Sequence, residues 1–196
     1  MRALILCAGH GTRLGKLTKN TPKCMLKVGG KPVLEHLVDH LKKYGITEII
    51  VNLHHKPEKI MNYFGTRLLY FYEPELLGED GTVKALKKWL ENDWFVVMNG
   101  DTLTNVEIDE MLKIGKEQNV AVAFGGDDVV DGRFKYAGTC LHPPNWFKSR
   151  KGINTGGKSV LEHETWGFQS DAFWFDIGTP EGLKKARRYY EKMHKV

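Results

Sequence analysis

The segment Ala3 to Pro32, ALILCAGHGTRLGKLTKNTPKCMLKVGGKP, constrains the fold more than any other stretch, because it joins an apolar strand to a helix through a glycine-rich, basic loop. Ala3-Leu4-Ile5-Leu6-Cys7 is short, apolar and β-prone. Ala8-Gly9-His10-Gly11-Thr12-Arg13 then sets glycines where backbone N–H groups turn toward a ligand, and Arg13, Lys16, Lys19, Lys23 and Lys27 supply cations. A triphosphate laid across such a loop meets N–H donors first and mobile cations next, with Arg13 suited to a bidentate grip on non-bridging oxygens. Neither common phosphate-loop pattern fits: Gly11 and Gly15 are followed by Lys16-Leu17, which breaks G-x-x-x-x-G-K-[ST], and the Gly9, Gly11, Gly15 spacing breaks G-x-G-x-x-G.

Beyond the loop, Pro32 to Gly45 reads as an amphipathic helix opened by proline, with Val33, Leu34, Leu37, Val38 and Leu41 on one stripe and Gly45 as the stop. Strands are predicted at Glu48 to Asn52, Leu68 to Tyr72, Trp94 to Met98 and Val120 to Phe124. Helices are predicted at Pro57 to Phe64, Gly81 to Leu90 and Glu107 to Lys116. The alternation predicts an α/β fold: right-handed βαβ units on a mostly parallel sheet flanked by helices in three layers, with ligands outside the carboxyl ends of the strands. Residues 1–196 read as a single domain, and Gly125 to Gly157, with Pro143-Pro144 and several glycines, as substrate-facing loops. His54-His55 follows a strand, but neighbouring residues there point to opposite faces, which favours loop or cap roles over a metal pair.

Two aspartates stand where a hard cation needs oxygen ligands. Asn99-Gly100-Asp101-Thr102 follows an apolar strand, and Asp176 lies in Phe175-Asp176-Ile177-Gly178-Thr179-Pro180-Glu181. Either alone could cap a turn or open a helix; together with the loop and Lys23 they read as a site.

The G-x-G-T-R-L run, the later Pro22-Lys23, the Gly100-Asp101 pair and the D-I-G-T-P-E run resemble the signature of sugar-phosphate nucleotidylyltransferases, which make NDP-sugars from an NTP and a sugar 1-phosphate. The resemblance is to short single-domain members such as the mannose and heptose 1-phosphate guanylyltransferases, and implies a Rossmann-like sheet of the nucleotide-diphospho-sugar transferase type. It implies that Leu6, Ala8, Gly9, Gly11, Thr12 and Arg13 surround the nucleotide, that Arg13 and Lys23 hold the phosphates and departing pyrophosphate, and that Asp101 and Asp176 hold Mg²⁺. Arg13, Lys23 and Asp101 are thereby the expected catalytic residues. The proline common after the leucine in the family is replaced by Gly15-Lys16, a change in loop stiffness.

The segment Glu73 to Thr82 resembles the family's base-reading loop, Gly78 and Gly81 matching while Glu79-Asp80 departs. Acidic acceptors suit guanine or cytosine donors, which ranks GTP first and CTP second; the other reading has both carboxylates facing water at a helix start. Lys135-Tyr136-Ala137-Gly138-Thr139-Cys140-Leu141 resembles the family's acceptor-side strand, making Tyr136 and Gly138 candidate sugar-phosphate contacts, with Ile153 to Gly157 a rival match. The family's preceding glutamate-lysine pair has no counterpart, which leaves a non-sugar phosphate acceptor open. A molybdopterin-type nucleotidyltransferase, for which D-I-G-T-P-E is not expected, and a non-catalytic nucleotide-binding regulator are the competing readings.

Composition bounds the remainder. The formal charge of +5 suits a protein that handles polyanions, but it is dispersed and does not nominate nucleic acid, and the Lys184 to Arg188 run reads as a solvated helix face. Cys7, Cys24 and Cys140 lack C-x-x-C pairing and the apolar N-terminal run is too short for a signal peptide, so a cytoplasmic protein with reduced thiols is expected. No stretch has the length of a membrane span, and an assembly of identical copies is compatible with the sequence.

Overall fold

A computed structural model of the protein describes residues 1–130, 133–148 and 165–193. Its strands are β1 (Arg2–Leu6), β2 (Lys27–Val28), β3 (Lys31–Pro32), β4 (Ile49–Leu53), β5 (Leu69–Tyr72), β6 (Phe95–Asn99), β7 (Thr102–Thr104), β8 (Ala121–Val130), β9 (Arg133–His142), β10 (Thr165–Phe168) and β11 (Trp174–Asp176). The helices are α1 (Val33–Lys43), α2 (Pro57–Phe64), α3 (Gly78–Ala85), α4 (Lys87–Leu90), α5 (Ile108–Gln118) and α6 (Pro180–Met193).

Seven strands form one sheet in the order β10-β8-β9-β6-β1-β4-β5. β1 pairs in parallel with both β4 and β6, β4 with β5, and β10 with β8, while β9 runs antiparallel to its neighbours. Strand alternation splits β1 between two cores: Ala3 and Ile5 face the side covered by α1, α2, α5 and α6, whereas Leu4 faces the side covered by α3, α4 and Trp146-Phe147. These three layers match the expected α/β architecture, and each fully buried Leu or Ile in them stabilises the fold by about 1.5–3 kcal/mol.

Two differences from the sequence reading have clear local causes. The region from Gly125 is not loop throughout, since β8 runs to Val130 and pairs antiparallel with β9, which begins at Arg133. The glycines that read as breakers sit at register shifts between Ala123 and Gly125 and between Gly126 and Val129, where an irregular strand bends without ending. The rival match at Ile153 to Gly157 lies outside the described residues. The second difference is at α3, which begins at Gly78 rather than Gly81, so Glu79 and Asp80 occupy its first turn instead of a free loop.

Strand order reverses at β1, whose neighbours lead to opposite edges of the sheet. Such a switch point opens a crevice at the carboxyl ends of the strands. Leu6 of β1 lies opposite Asn99 of β6 there, so the glycine-rich loop and the Gly100-Asp101 turn emerge side by side.

Candidate active site

The loop leaves β1 at Cys7, whose N–H donates to Asn52 Oδ1 at 2.6 Å. The next backbone amide with a partner among the described residues is that of Leu14, which donates to Gly11 O at 3.0 Å and opens a 3-10 turn over Thr12–Leu17. The amides from Ala8 to Arg13 are thus the orphan donors expected of an anion-binding loop. Gly11 (φ +65°) and Gly15 (φ +53°, ψ −118°) adopt conformations that L side chains avoid, which explains glycine where the resembled family often carries proline. Thr18, not singled out from the sequence, closes the loop on itself: its hydroxyl donates to Gly11 O at 2.8 Å.

Gly100 fixes the second wall. A Cβ at this position would lie 2.7 Å from both Cys7 Sγ and Leu6 O, so glycine alone lets the chain leaving β6 press against β1, where Gly100 N–H donates to Leu6 O at 2.9 Å. Asp101 then faces Lys23, and the two form an ion pair. Lys23 is only 20% exposed and sits in a short 3-10 turn behind Pro22, so it is not the freely exposed loop cation expected, whereas Arg13 is exposed.

The third wall comes from far along the chain. β11 pairs antiparallel with β7, which sets Asp176 opposite Thr102, one residue after Asp101. Ile177 N–H donates to Asp101 O at 2.9 Å and Gly178 N–H to Asp176 Oδ1 at 2.7 Å. A Cβ at Gly178 would lie 2.7 Å from Asp176 Oδ1, 2.8 Å from Arg13 Nη2 and 3.1 Å from Asp101 Oδ2. The structure therefore brings Arg13, Lys23, Asp101 and Asp176 to one point. Gly138 of β9 packs on the same turn: with φ +79°, its added Cβ would meet Thr102 Oγ1 at 2.5 Å.

A cleft of ≈ 350 Å³ runs from this point toward α3, and Leu6, Ala8, Gly9, Lys23, Asp101 and Glu79 line it. Asp80 and Gly81 continue the first turn of α3 beside it without lining it, as do Thr12 and Gly11 on the loop side. Tyr136 stands on the β9 side with its hydroxyl buried and without a hydrogen-bond partner among the described residues. Burial pushes that hydroxyl well above its ordinary pKa, and the nearby Cys140, Glu79 and Asp101 add to the effect, so it is a neutral phenol. Burial likewise raises the Cys7 thiol, helped by its hydrogen bond with Cys24, and keeps it protonated and inert.

Two buried polar residues in the cleft wall, Asn52 and Glu73, and the buried Thr82 bonded to them behind it were not singled out individually by sequence. The available signal was a polar Asn52 ending the otherwise apolar run Ile49-Ile50-Val51. His54 and His55, expected to diverge, instead both sit against His10, with ring centroids 5.1 and 5.5 Å away, because strand alternation ends at Leu53. His54 bonds through Nδ1 to Glu73 O and His55 through Nε2 to Thr18 O, both at 2.8 Å.

A glycine-rich loop at the switch point of a doubly covered sheet, faced by Asp101 from the turn after β6 and Asp176 at the end of β11, is the architecture of a nucleotide-handling α/β domain. The chain belongs to the family of MobA-like NTP transferase domains, whose model matches residues 3–163. It is 39% identical over 116 residues to D-glycero-α-D-manno-heptose 1-phosphate guanylyltransferase of Campylobacter jejuni, an alignment covering 57% of this chain and 52% of that protein, so the match spans about half of the relative's length. The heptose 1-phosphate guanylyltransferase of Aneurinibacillus thermoaerophilus is 30% identical over 233 residues, covering 96% of this chain and 97% of that protein. UDP-glucose pyrophosphorylase from Acinetobacter baumannii shares the fold with a TM-score of 0.82 at 18% identity, covering 99% of this chain and 94% of that one. Among the described residues no helix is long and apolar enough to cross a membrane.

Proposed function

We propose that this chain, as a single domain over residues 1–196, is a sugar 1-phosphate nucleotidylyltransferase that joins an NTP to a sugar 1-phosphate and releases pyrophosphate. The observation that carries this reading is the meeting of Arg13, Asp101 and Asp176 around Gly178, with Lys23 paired to Asp101, at the open end of the glycine-rich loop. GTP is the preferred nucleotide and CTP the second. Support comes from Glu79 in the cleft wall, an acceptor for guanine N–H donors, and from the two relatives that are guanylyltransferases.

In the reaction, the amides of Ala8 to Arg13 receive the triphosphate and Arg13 grips its oxygens. An oxygen of the sugar phosphate attacks the α-phosphorus in line. The bond from that phosphorus to the β-phosphate oxygen breaks, and pyrophosphate leaves with the electron pair. Lys23 stabilises the charge gathering on the leaving group, a contribution of the kind worth about 10²-fold or more in rate. The nucleophile is already an anion, so no side chain has to remove a proton. Tyr136 and Gly138 border the acceptor, with the unpartnered Tyr136 hydroxyl available to it.

The donor set suits Mg²⁺. Two carboxylates converge on the space beside Gly178, and carboxylate oxygens are the ligands a hard cation takes together with phosphate and water. Asp101 and Asp176 would hold it, and when bound it supplies charge neutralisation at the reacting phosphates. A cytoplasmic location accompanies this reading, where the nucleotide and the reduced thiols of Cys7 and Cys24 coexist.

The test is a matrix of GTP, CTP, ATP, UTP and dTTP against hexose, heptose and non-sugar phosphates, with and without Mg²⁺, read as pyrophosphate release. The expected productive arm is GTP with a sugar 1-phosphate and Mg²⁺. Release confined to UTP or dTTP overturns the base assignment, and release only with a non-sugar phosphate overturns the acceptor.

A further inference from the structure

One buried polar group in the cleft is used by nothing described above. Glu73, at 1% exposure, directly follows β5 and carries a carboxylate that the fold encloses. Its Oε1 accepts from Asn52 Nδ2 at 2.9 Å and from the Thr82 hydroxyl, and its Oε2 accepts from Leu77 N–H at 3.1 Å. Asn52 Nδ2 also donates to Thr82 Oγ1 at 3.3 Å, which closes a three-residue ring. On its other side Asn52 Oδ1 accepts from Cys7 N–H, so the orientation of the amide is set at both ends. No cation faces Glu73 in these bonds; neutral donors alone hold it.

The connections matter because of what they join. Cys7 is the root of the phosphate loop just after β1, Asn52 lies near the carboxyl end of β4, Glu73 directly follows β5, Leu77 precedes α3, and Thr82 lies within α3 beside Glu79. A nucleotide in this cleft puts its phosphates on the first of these segments and its base against the last. We infer that Glu73 is a positioning residue which, through Asn52 and Thr82, fixes the base-binding wall at α3 relative to the phosphate loop, so that one nucleotide spans both half-sites. This rests on the nucleotide site proposed above.

Held in fixed register, two half-sites bind a linked ligand far better than either part alone; when the register loosens, the linked ligand loses that advantage while each part keeps its own affinity. A group that merely supported the fold would weaken everything together. The distinguishing experiment is calorimetric titration of GTP, guanosine and inorganic tripolyphosphate into wild type, Glu73→Gln and Thr82→Val, with thermal melting of each and Thr82→Ser as the conservative control. Glutamine replaces one acceptor oxygen by a donor facing Leu77 N–H, and valine removes the hydroxyl at similar volume.

The expected result is GTP binding weakened about tenfold or more in both variants, with tripolyphosphate and guanosine within about twofold of wild type and Thr82→Ser restored. Steady-state turnover should show the loss in KM for GTP with kcat held. If Glu73→Gln does not fold, Thr82→Val carries the test. Equal loss for GTP and tripolyphosphate, or GTP binding unchanged in a folded variant, overturns the inference. Failure of wild type to bind any NTP would instead overturn the nucleotide site itself.

Discussion

Replacing Gly178 by alanine places one methyl group at the point where three charged side chains meet. The new Cβ would sit 2.7 Å from Asp176 Oδ1, 2.8 Å from Arg13 Nη2 and 3.1 Å from Asp101 Oδ2. These separations fall about 0.3–0.7 Å short of ordinary contact at 3.4 Å. The atoms crowded are ends of side chains, which move without disturbing the backbone, and Gly178 does not occupy a positive φ. Stability should therefore change by less than about 1 kcal/mol. Catalysis has no such tolerance, because a shift of about 1 Å in a positioned group costs roughly 10²-fold. Asp176 is also pinned by the Gly178 amide and cannot simply rotate away. The expected loss in kcat is about 10- to 100-fold, equivalent to about 1.4–2.7 kcal/mol of transition-state stabilisation. Pyrophosphate release with GTP and a sugar 1-phosphate measures the first quantity and thermal melting the second. A folded Gly178→Ala protein with kcat within threefold of wild type would refute the convergence of these residues on the reacting phosphates.

Gly138→Ala should do the reverse, losing about 2–4 kcal/mol of stability in denaturant melts, because the residue sits at φ +79° and its Cβ would collide with Thr102. Lys23→Ala and Arg13→Ala should each lower kcat by about 10²-fold; melting temperature should be nearly unchanged for the exposed Arg13 but lowered for Lys23, whose loss leaves the partly buried Asp101 without its ion-pair partner, and unchanged turnover in either folded variant counts against its role. Burial depresses the His40 imidazole, opposed by its bond to Val106 O, and depresses His36 in the same way. A histidine depressed in the folded state binds its proton more readily when unfolded. Stability from it is therefore complete above the ordinary value of 6.5 and is lost as pH falls below that. Melting temperature should drop as pH falls below about 6.5, with a flatter slope in His40→Gln; an identical slope would show that His40 is not the group taking up the proton.

The features legible in the sequence were those whose local pattern and structural role coincide. The strand from Ala3 and the glycines after it announce a phosphate loop because glycine is needed there for backbone reasons alone. Pro57 to Phe64 was bounded correctly since proline opens the helix and Gly65 closes it at φ +53°. Asp101 and Asp176 each stand out in the sequence, but their approach depends on β7 pairing with β11, a long-range contact that no local spacing encodes. The reversed direction of β9 was hidden for a related reason: its neighbours in the sheet are chosen by packing, and glycines at bulges look like glycines in loops. Glu73 was hidden most completely. Within the expected base-reading loop nothing marks this glutamate off from Glu75 or Glu79, and only the arrival of Asn52, Thr82 and the Leu77 amide makes its burial tolerable.

The central claim is that the α-phosphorus of the nucleotide, and not the γ-phosphorus, is transferred to a sugar phosphate. Parallel reactions with GTP labelled at the α- or the γ-phosphate, a sugar 1-phosphate and Mg²⁺ test it directly when the products are separated and treated with phosphatase. The expected result is α-label in a phosphatase-resistant sugar nucleotide and γ-label wholly in pyrophosphate. Label passing from the γ-position to the sugar, or leaving as inorganic phosphate before the phosphatase is added while the α-label stays in GDP, would contradict it.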